Sequence, residues 1–393
     1  MSVQPDNAQS TRPFFLRDES IRGLGAMAVM AYHASGVHLH GHALLPHAAW
    51  ADSTMVPGAL RWLGTMLVPG HAALLTFFVI SGFVLRLSLE HGPQRVGAMS
   101  GKFLVGRLFR FYPIMIVGTL VMMAVILAGL HKATIDGAAV PLTPWRVIAN
   151  CLLLEVSMNG TLWAIQLELV MVPIILLLYL LERRAGPRAV LIVAIVTAVA
   201  ALTGNWARYT PLSRHLFAFA LGMIVPTLGR QMVQRLSLRQ ANLCIFVCAL
   251  VLLTTGPALG LYSRYTTVIE GLAAFPMVAL IAYRQDLRAF NVLDARPLRI
   301  LGASSGSYYI LHMAALVLLL AWMPHVVPAH WSNAAPLLTG ALVVLVCILA
   351  LVPVAIIAYF GVEVPGIKLG RIANRKLGLD KREPKVDLAA AAP

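Results

Sequence analysis

The clearest chemical signal sits in the first apolar stretch, where Arg22 and His33 lie eleven positions apart. Eleven steps of 100° come to about three turns of an α-helix, so both side chains share one face. They stand about 16 Å apart along the axis at 1.5 Å per residue. With Arg22 at the membrane edge, His33 then lies near mid-membrane, where a neutral imidazole can accept a proton from a hydroxyl. Taken alone, a histidine in such a place is more often a buried side chain hydrogen-bonded to the next helix.

Other polar residues occur in apolar surroundings. GRLFRFYP, residues 106–113, sets Arg107 and Arg110 three apart on one helical face. Planar, permanently charged guanidiniums match phosphate oxygens, so the pair points to a phosphate-bearing ligand, although positive-inside anchoring explains such arginines too. Pro113 is expected to interrupt that helix. LWAIQLEL, residues 162–169, holds Trp163 and Glu168. A carboxylate there costs about 2.5 to 3.5 kcal/mol on insertion scales unless it is paired or neutral. Orienting His33 or pairing with an arginine would relieve that cost.

LTFFVISGFVL, residues 75–85, contains Ser81 and Gly82. The Ser-Gly pair permits close helix packing, the usual role of small residues in membranes. SSGSYYILHM, residues 304–313, places Ser305, Ser307, Tyr308 and Tyr309 ahead of His312, and Glu363 lies near the inner end of the last apolar stretch. Together these residues describe a polar interior inside a bilayer.

Such groups must be positioned by membrane helices, as the composition shows. The 393 residues are 59% hydrophobic and 12% charged, with mean hydropathy +0.79. Those values exclude a soluble globule and a disordered chain. The formal charge of +15 comes without a long Lys/Arg run, so no nucleic acid is expected as a partner.

Apolar stretches near residues 21–39, 68–90, 105–130, 160–182, 188–204, 212–229, 241–257, 265–283, 299–322 and 335–361 each approach the span of a crossing helix. The expected fold is all-α, a polytopic transmembrane helix bundle of about ten crossings with both termini cytoplasmic. An eleventh piece, 147–158, is short and carries Asn150 and Glu155. Leaving it out of the count gathers Arg86, Arg95, Lys102, Arg107 and Arg110 on one side with the later loop arginines, and that side is then the cytoplasm.

The organisation expected is a cytoplasmic N-terminal segment at 1–20, a membrane domain at 21–365 and a basic cytoplasmic tail at 366–393. Lys368, Arg371, Arg375, Lys376, Lys381 and Arg382 make that tail a solvated anchor for anionic lipid heads. Neither a secretory signal nor an internal repeat is evident. Cys151, Cys244, Cys248 and Cys347 sit in apolar sequence as small core residues. His38, His40, His42 and His47 cluster between crossings, but no carboxylate or cysteine at tight spacing joins them, so no metal is expected.

In this order the patches resemble the acyltransferase 3 family of integral membrane O-acyltransferases. Arg22 and His33 match its first-helix arginine and histidine, Phe77 to Phe83 its FFxxSGF-like stretch, and Arg107 to Pro113 its RxxRxxP-like segment. Trp163 and Glu168 match its tryptophan and glutamate five apart, His312 its later histidine, and Glu363 with Pro365 its closing pair. The chain departs from the pattern at Glu19, where aspartate is common, at Ala164 for serine, at Leu169 for a second acid and at Gly306 for tyrosine.

The resemblance implies acyl-CoA, usually acetyl-CoA, as co-substrate from the cytoplasm, with no permanently bound cofactor. The acceptor it implies is a carbohydrate or glycolipid hydroxyl, on an extracellular polysaccharide, lipopolysaccharide or lipid-linked precursor. It also implies the bacterial inner membrane and contact with polysaccharide-synthesis machinery. The roughly thirty residues after the last crossing are too few for a fused esterase-like domain, since domains rarely fall below about 50 residues.

On this reading His33, Glu168 and Arg22 are catalytic, with His33 a general base or an acyl relay. Arg22, Arg86, Arg107, Arg110 and Ser81 hold acyl-CoA, and Trp163, Tyr309 and His312 line the acceptor path. A transporter or flippase, or a non-catalytic polysaccharide-export subunit, competes with it, because buried Arg, Glu and His also suit a solute pathway.

Overall fold

The computed structural model describes residues 13–34, 58–93, 95–322, 325–327 and 329–379. The histidines at 38, 40, 42 and 47 and the end of the tail lie outside them. Among the described residues the chain is all-α apart from one small hairpin. In chain order the helices are α1 (Pro13–Ala34), α2 (Gly58–Leu67), α3 (Gly70–Glu90), α4 (Val96–Leu127), α5 (Pro144–Cys151), α6 (Trp163–Ala185), α7 (Pro187–Thr203) and α8 (Thr210–Met223). They continue as α9 (Arg230–Gln234), α10 (Leu238–Leu259), α11 (Arg264–Tyr283), α12 (Arg296–Ala303), α13 (Ser305–Trp322), α14 (Ala329–Ala334), α15 (Pro336–Ala358) and α16 (Val364–Lys376). The hairpin pairs Thr134 with Ala139 and Ile135 with Ala138. It turns through Asp136 and Gly137, both at positive φ, as a two-residue Asp-Gly turn does.

Helices dominate because a bilayer offers no partner for backbone N–H and C=O groups. Six helices are long and apolar enough to cross a membrane, and up to eight if each of two bent pairs counts as one span. All ten expected stretches contain helix, but two fail by length or composition. The helix Pro187–Thr203 is short, and α1 carries Arg17, Asp18, Glu19 and Arg22. The bent pairs are Thr210–Met223 with Val225–Gln234, at 46°, and Arg296–Ala303 with Ser305–Leu319, at 72°.

The eleventh piece does not cross. Helix α5 has eight residues, about 12 Å of rise against a hydrocarbon core of about 30 Å. Its polar residues fold it into a corner: Arg146 Nε donates to Glu155 Oε1 at 2.7 Å, and Asn150 Nδ2 donates to Ser157 Oγ at 3.2 Å.

Two close approaches fix the bundle. A Cβ on Gly82 of α3 would sit 2.1 Å from the Phe219 carbonyl oxygen of α8, and one on Gly222 would sit 2.1 Å from that of Val79. Small residues at both positions let these backbones touch, as membrane helices do where packing replaces the hydrophobic force. Pro113, expected to interrupt α4, lies inside one continuous helix of 32 residues. A proline frees the carbonyl four residues earlier, here that of Phe109. Gly366 of α16 packs at this place, where a Cβ would come 2.6 Å from the Phe109 oxygen. The segment expected as the start of a solvated tail is therefore a packed helix, with Gly366, Gly370 and Asn374 buried.

Burial separates centre from rim. The crossing window of α11 is 72% buried and that of α10 only 17%. Leu243 and Phe246 of α10, with Leu177 and Ile192 elsewhere, stay exposed, as a lipid-facing surface requires.

Candidate active site

Three cavities run through the half of the bundle built on α1, α3, α4, α6, α13 and α16. The widest, about 260 Å³, is the mouth, lined by Lys102, Arg107 and Arg110 of α4 and Arg371 and Asn374 of α16. Four cations on facing helices make it an anion site. The Arg107 guanidinium lies 5.6 Å from the centre of the Phe103 ring, a cation–π contact that braces it. Asn374 Oδ1 is buried without a hydrogen-bond partner among the described residues. Sequence reasoning treated Lys102 and Arg371 as membrane anchoring; their convergence depends on the docking of α16.

Arg110 stands at the inner edge of this mouth, its Nε 3.9 Å from Glu363 Oε1. Ser307 Oγ donates to the same carboxylate at 3.0 Å. Beyond it lies a cavity of about 50 Å³ whose polar lining is Arg22, Ser81, Glu168, Ser305 and Tyr309. Ser81 Oγ donates to Glu168 Oε1 at 3.2 Å. Arg22 is within electrostatic reach of Arg110, Glu168, Glu363 and Glu19. Glu168 thus bonds Ser81 and shares its cavity with Arg22, while His33 lines the next one. In the SGF stretch Gly82 packs against α8 and Ser81 lines the cavity.

The innermost cavity, about 40 Å³, is lined by His33 and Tyr32 of α1, His71 of α3, Thr161, Trp163 and Tyr262. Leu74 and Tyr309 line both this cavity and the middle one, so the two meet at that pair. Tyr309 Oη donates to the Thr161 carbonyl at 2.9 Å, which holds the partition in place. The rings of His33 and His312 lie 5.2 Å apart, tilted by 31°. His312 Nδ1 bonds the Tyr309 carbonyl. A carbonyl only accepts, so that nitrogen carries the proton and Nε2 keeps its lone pair. Nε2 is buried without a hydrogen-bond partner among the described residues. Trp163 lies against His215 at 5.3 Å and Phe78 at 6.1 Å, an aromatic wall around the site.

Nine of the ten expected site residues thus gather here: Arg22, His33, Ser81, Arg107, Arg110, Trp163, Glu168 and Tyr309 line a cavity, and the His312 ring lies beside that of His33. Arg86 is the exception. Its guanidinium, buried on α3, is held by Glu182 of α6 at 3.2 Å and by Glu90, and it lines none of the three cavities. Its charge is paired, and it stands apart from the mouth arginines. Sequence reasoning also passed over His71 and Glu270, whose Nδ1 and Oε2 are 2.6 Å apart. Glu270 carries the signal that marked Glu168, an acid inside an apolar crossing.

One finding extends this geometry to the chain as a whole. The family model of the acyltransferase domain, acyltransferase 3, matches residues 19–360. The chain belongs to the acyltransferase 3 family. No curated protein and no solved structure matches it. As a polytopic helical acyltransferase 3 protein it is a membrane-bound transferase, with an acyl donor and an acceptor as substrates. The matched residues include the middle and inner cavities and the mouth arginines of α4; Glu363, Arg371 and Asn374 lie beyond them.

Proposed function

We propose that this acyltransferase moves an acetyl group from acetyl-CoA, entering at the cytoplasmic face, to a hydroxyl of a carbohydrate or glycolipid acceptor, in a bacterial inner membrane. The observation that carries the reading is the ordered path itself. A basic mouth, a cavity holding Arg22 and Ser81, and a small, aromatic cavity containing His33 follow one another in that order.

In this reading Arg107, Arg110, Lys102 and Arg371 hold the CoA phosphates, and the pantetheine arm runs along α1. The rise from Arg22 to His33, about 16 Å, matches a chain threaded from mouth to chemistry. Ser81, bonded to Glu168, sits midway and can turn its hydroxyl to the thioester oxygen. His33 is the reacting imidazole, taking either the hydroxyl proton or the acyl group itself. Tyr309, Trp163 and His312 surround it and exclude water, which protects the thioester from hydrolysis.

The test is acetyl-CoA binding and CoA release by the purified protein in nanodiscs, comparing wild type with His33→Ala. Binding should persist in the variant, and CoA release should fall about 10² to 10⁴-fold. A His33→Ala protein that releases CoA at the wild-type rate removes His33 from the reaction. Absence of acetyl-CoA binding by the wild type removes the donor assignment.

A further inference from the structure

The inner cavity has a second imidazole that neither the sequence motifs nor the reading above uses. His71 is 4% exposed, and its Nδ1 lies 2.6 Å from Oε2 of Glu270, itself 1% exposed. The two residues are 199 positions apart, on α3 and α11. A carboxylate accepts, so Nδ1 carries a proton, and in the neutral imidazole the lone pair is then on Nε2. This is how a buried acid fixes the tautomer and orientation of a catalytic histidine.

Everything near the pair holds the ring on the cavity wall. Tyr262 meets it edge-on, ring centres 5.3 Å apart, and Tyr262 is joined to Tyr32 through their hydroxyls at 3.2 Å. Residue 70 must be glycine for His71 to come this close to α1, since a Cβ there would lie 2.5 Å from that of Tyr32. His71 and His33 therefore line one cavity of about 40 Å³. A purely structural histidine on α3 needs neither a dedicated buried acid nor a place on this wall.

We infer that His71, oriented by Glu270, is a second catalytic base of this site and takes the proton of the acceptor hydroxyl. The inference rests on the acyl transfer proposed above and decides between the two roles left to His33, which then receives the acyl group. In the first half, a ring nitrogen of His33 attacks the thioester carbonyl carbon, the C–S bond breaks, and the departing thiolate takes the other ring proton of His33. In the second, the acceptor oxygen attacks the acyl carbon as its proton passes to His71 Nε2. The C–N bond then breaks, and that proton moves on to the His33 ring. The sum is acyl-CoA plus alcohol giving CoA plus ester, with both imidazoles restored. Glu270 touches no substrate and acts as a positioning residue.

The experiment uses the full chain in nanodiscs with acetyl-labelled acetyl-CoA, octyl glucoside serving as hydroxyl probe beside water. Binding, steady-state CoA release and label on the protein are read for wild type, His33→Ala, His71→Gln, Glu270→Gln and Glu270→Asp. His71→Gln should keep acetyl-CoA affinity within threefold, keep the protein label, and lose about 10²-fold or more in kcat. Glu270→Gln should lower kcat with unchanged KM for acetyl-CoA, and Glu270→Asp should recover part of it, a split that mere loosening of the fold would not produce. His33→Ala should carry no label. Turnover of His71→Gln near the wild-type value, loss of its label together with turnover, or an unlabelled wild type overturns the inference while leaving donor binding intact. A wild type that does not bind acetyl-CoA overturns the underlying reading instead.

Discussion

The mouth and the inner cavity differ in size, in charge and in the helices that build them. The mouth, about 260 Å³, gathers four cations from α4 and α16, whereas the inner cavity, about 40 Å³, is walled by rings and holds two histidines. A wide charged opening suits a polyanion whose phosphates stay partly hydrated, because charge–charge attraction works there with little desolvation. A small dry pocket suits the reacting carbon, since hydrogen bonds strengthen and water is kept out. Under the proposed function, binding and chemistry are separated, and each should be separately breakable.

The largest effect expected at the mouth is that of the double change Arg107→Gln with Arg110→Gln. A charge-assisted hydrogen bond is worth about 1.5 to 3 kcal/mol, so losing two should raise KM for acetyl-CoA about 10²-fold or more while kcat changes little. Steady-state kinetics in nanodiscs checks this, and a large fall in kcat would erase the division between the regions. Arg86 supplies the contrast. Removing one partner of a buried pair costs about 3 to 5 kcal/mol, so Arg86→Met should lower the thermal midpoint in detergent and leave KM of the surviving protein unchanged.

A smaller loss is expected for Gly82→Ala. The added methyl must push α3 away from the Phe219 carbonyl, about 1 to 3 kcal/mol of overpacking. Thermal unfolding reads the stability, and a misplaced Ser81 should show as lower kcat. The least effect belongs to the far end of α1, where Arg17 bonds Asp294 at 2.6 Å. That hydrogen bond, aided by the Arg17 and Arg299 charges and opposed by burial, holds the Asp294 carboxyl below the usual range. A depressed folded value means the stabilisation is present above the unfolded pKa and is lost as pH falls through the folded one. Asp294 is half exposed, so Asp294→Asn should cost less than about 1 kcal/mol. Its difference from wild type should vanish at acid pH in a thermal series.

What could be seen in the sequence depended on whether a group's partner is local. Arg22 with His33, and Arg107 with Arg110, share a helix, so the 3.6-residue period alone places them together. Ser81 and Glu168 stood out because polar atoms in lipid need partners, yet their pairing across α3 and α6 required the fold. His71 and Glu270 stayed hidden for the same reason. The pairing of Arg86 was not legible because charge near a membrane edge reads alike whether it meets a phosphate or a neighbouring Glu182. Pro113 was expected to break α4, and the chain from 366 to be a solvated anchor, because sequence does not show that Gly366 fills the place beside the freed carbonyl.

The separation of binding from chemistry can be measured directly by giving the enzyme a donor without the phosphates. Turnover of acetyl-CoA and of S-acetylpantetheine should be compared for wild type, the Arg107/Arg110 double variant and His33→Ala. The account predicts that wild type favours acetyl-CoA strongly in kcat/KM, that the double variant loses most of that preference, and that His33→Ala loses kcat with both donors alike. A preference that survives the double change would contradict the account, because the phosphates would then be held somewhere other than the mouth between α4 and α16.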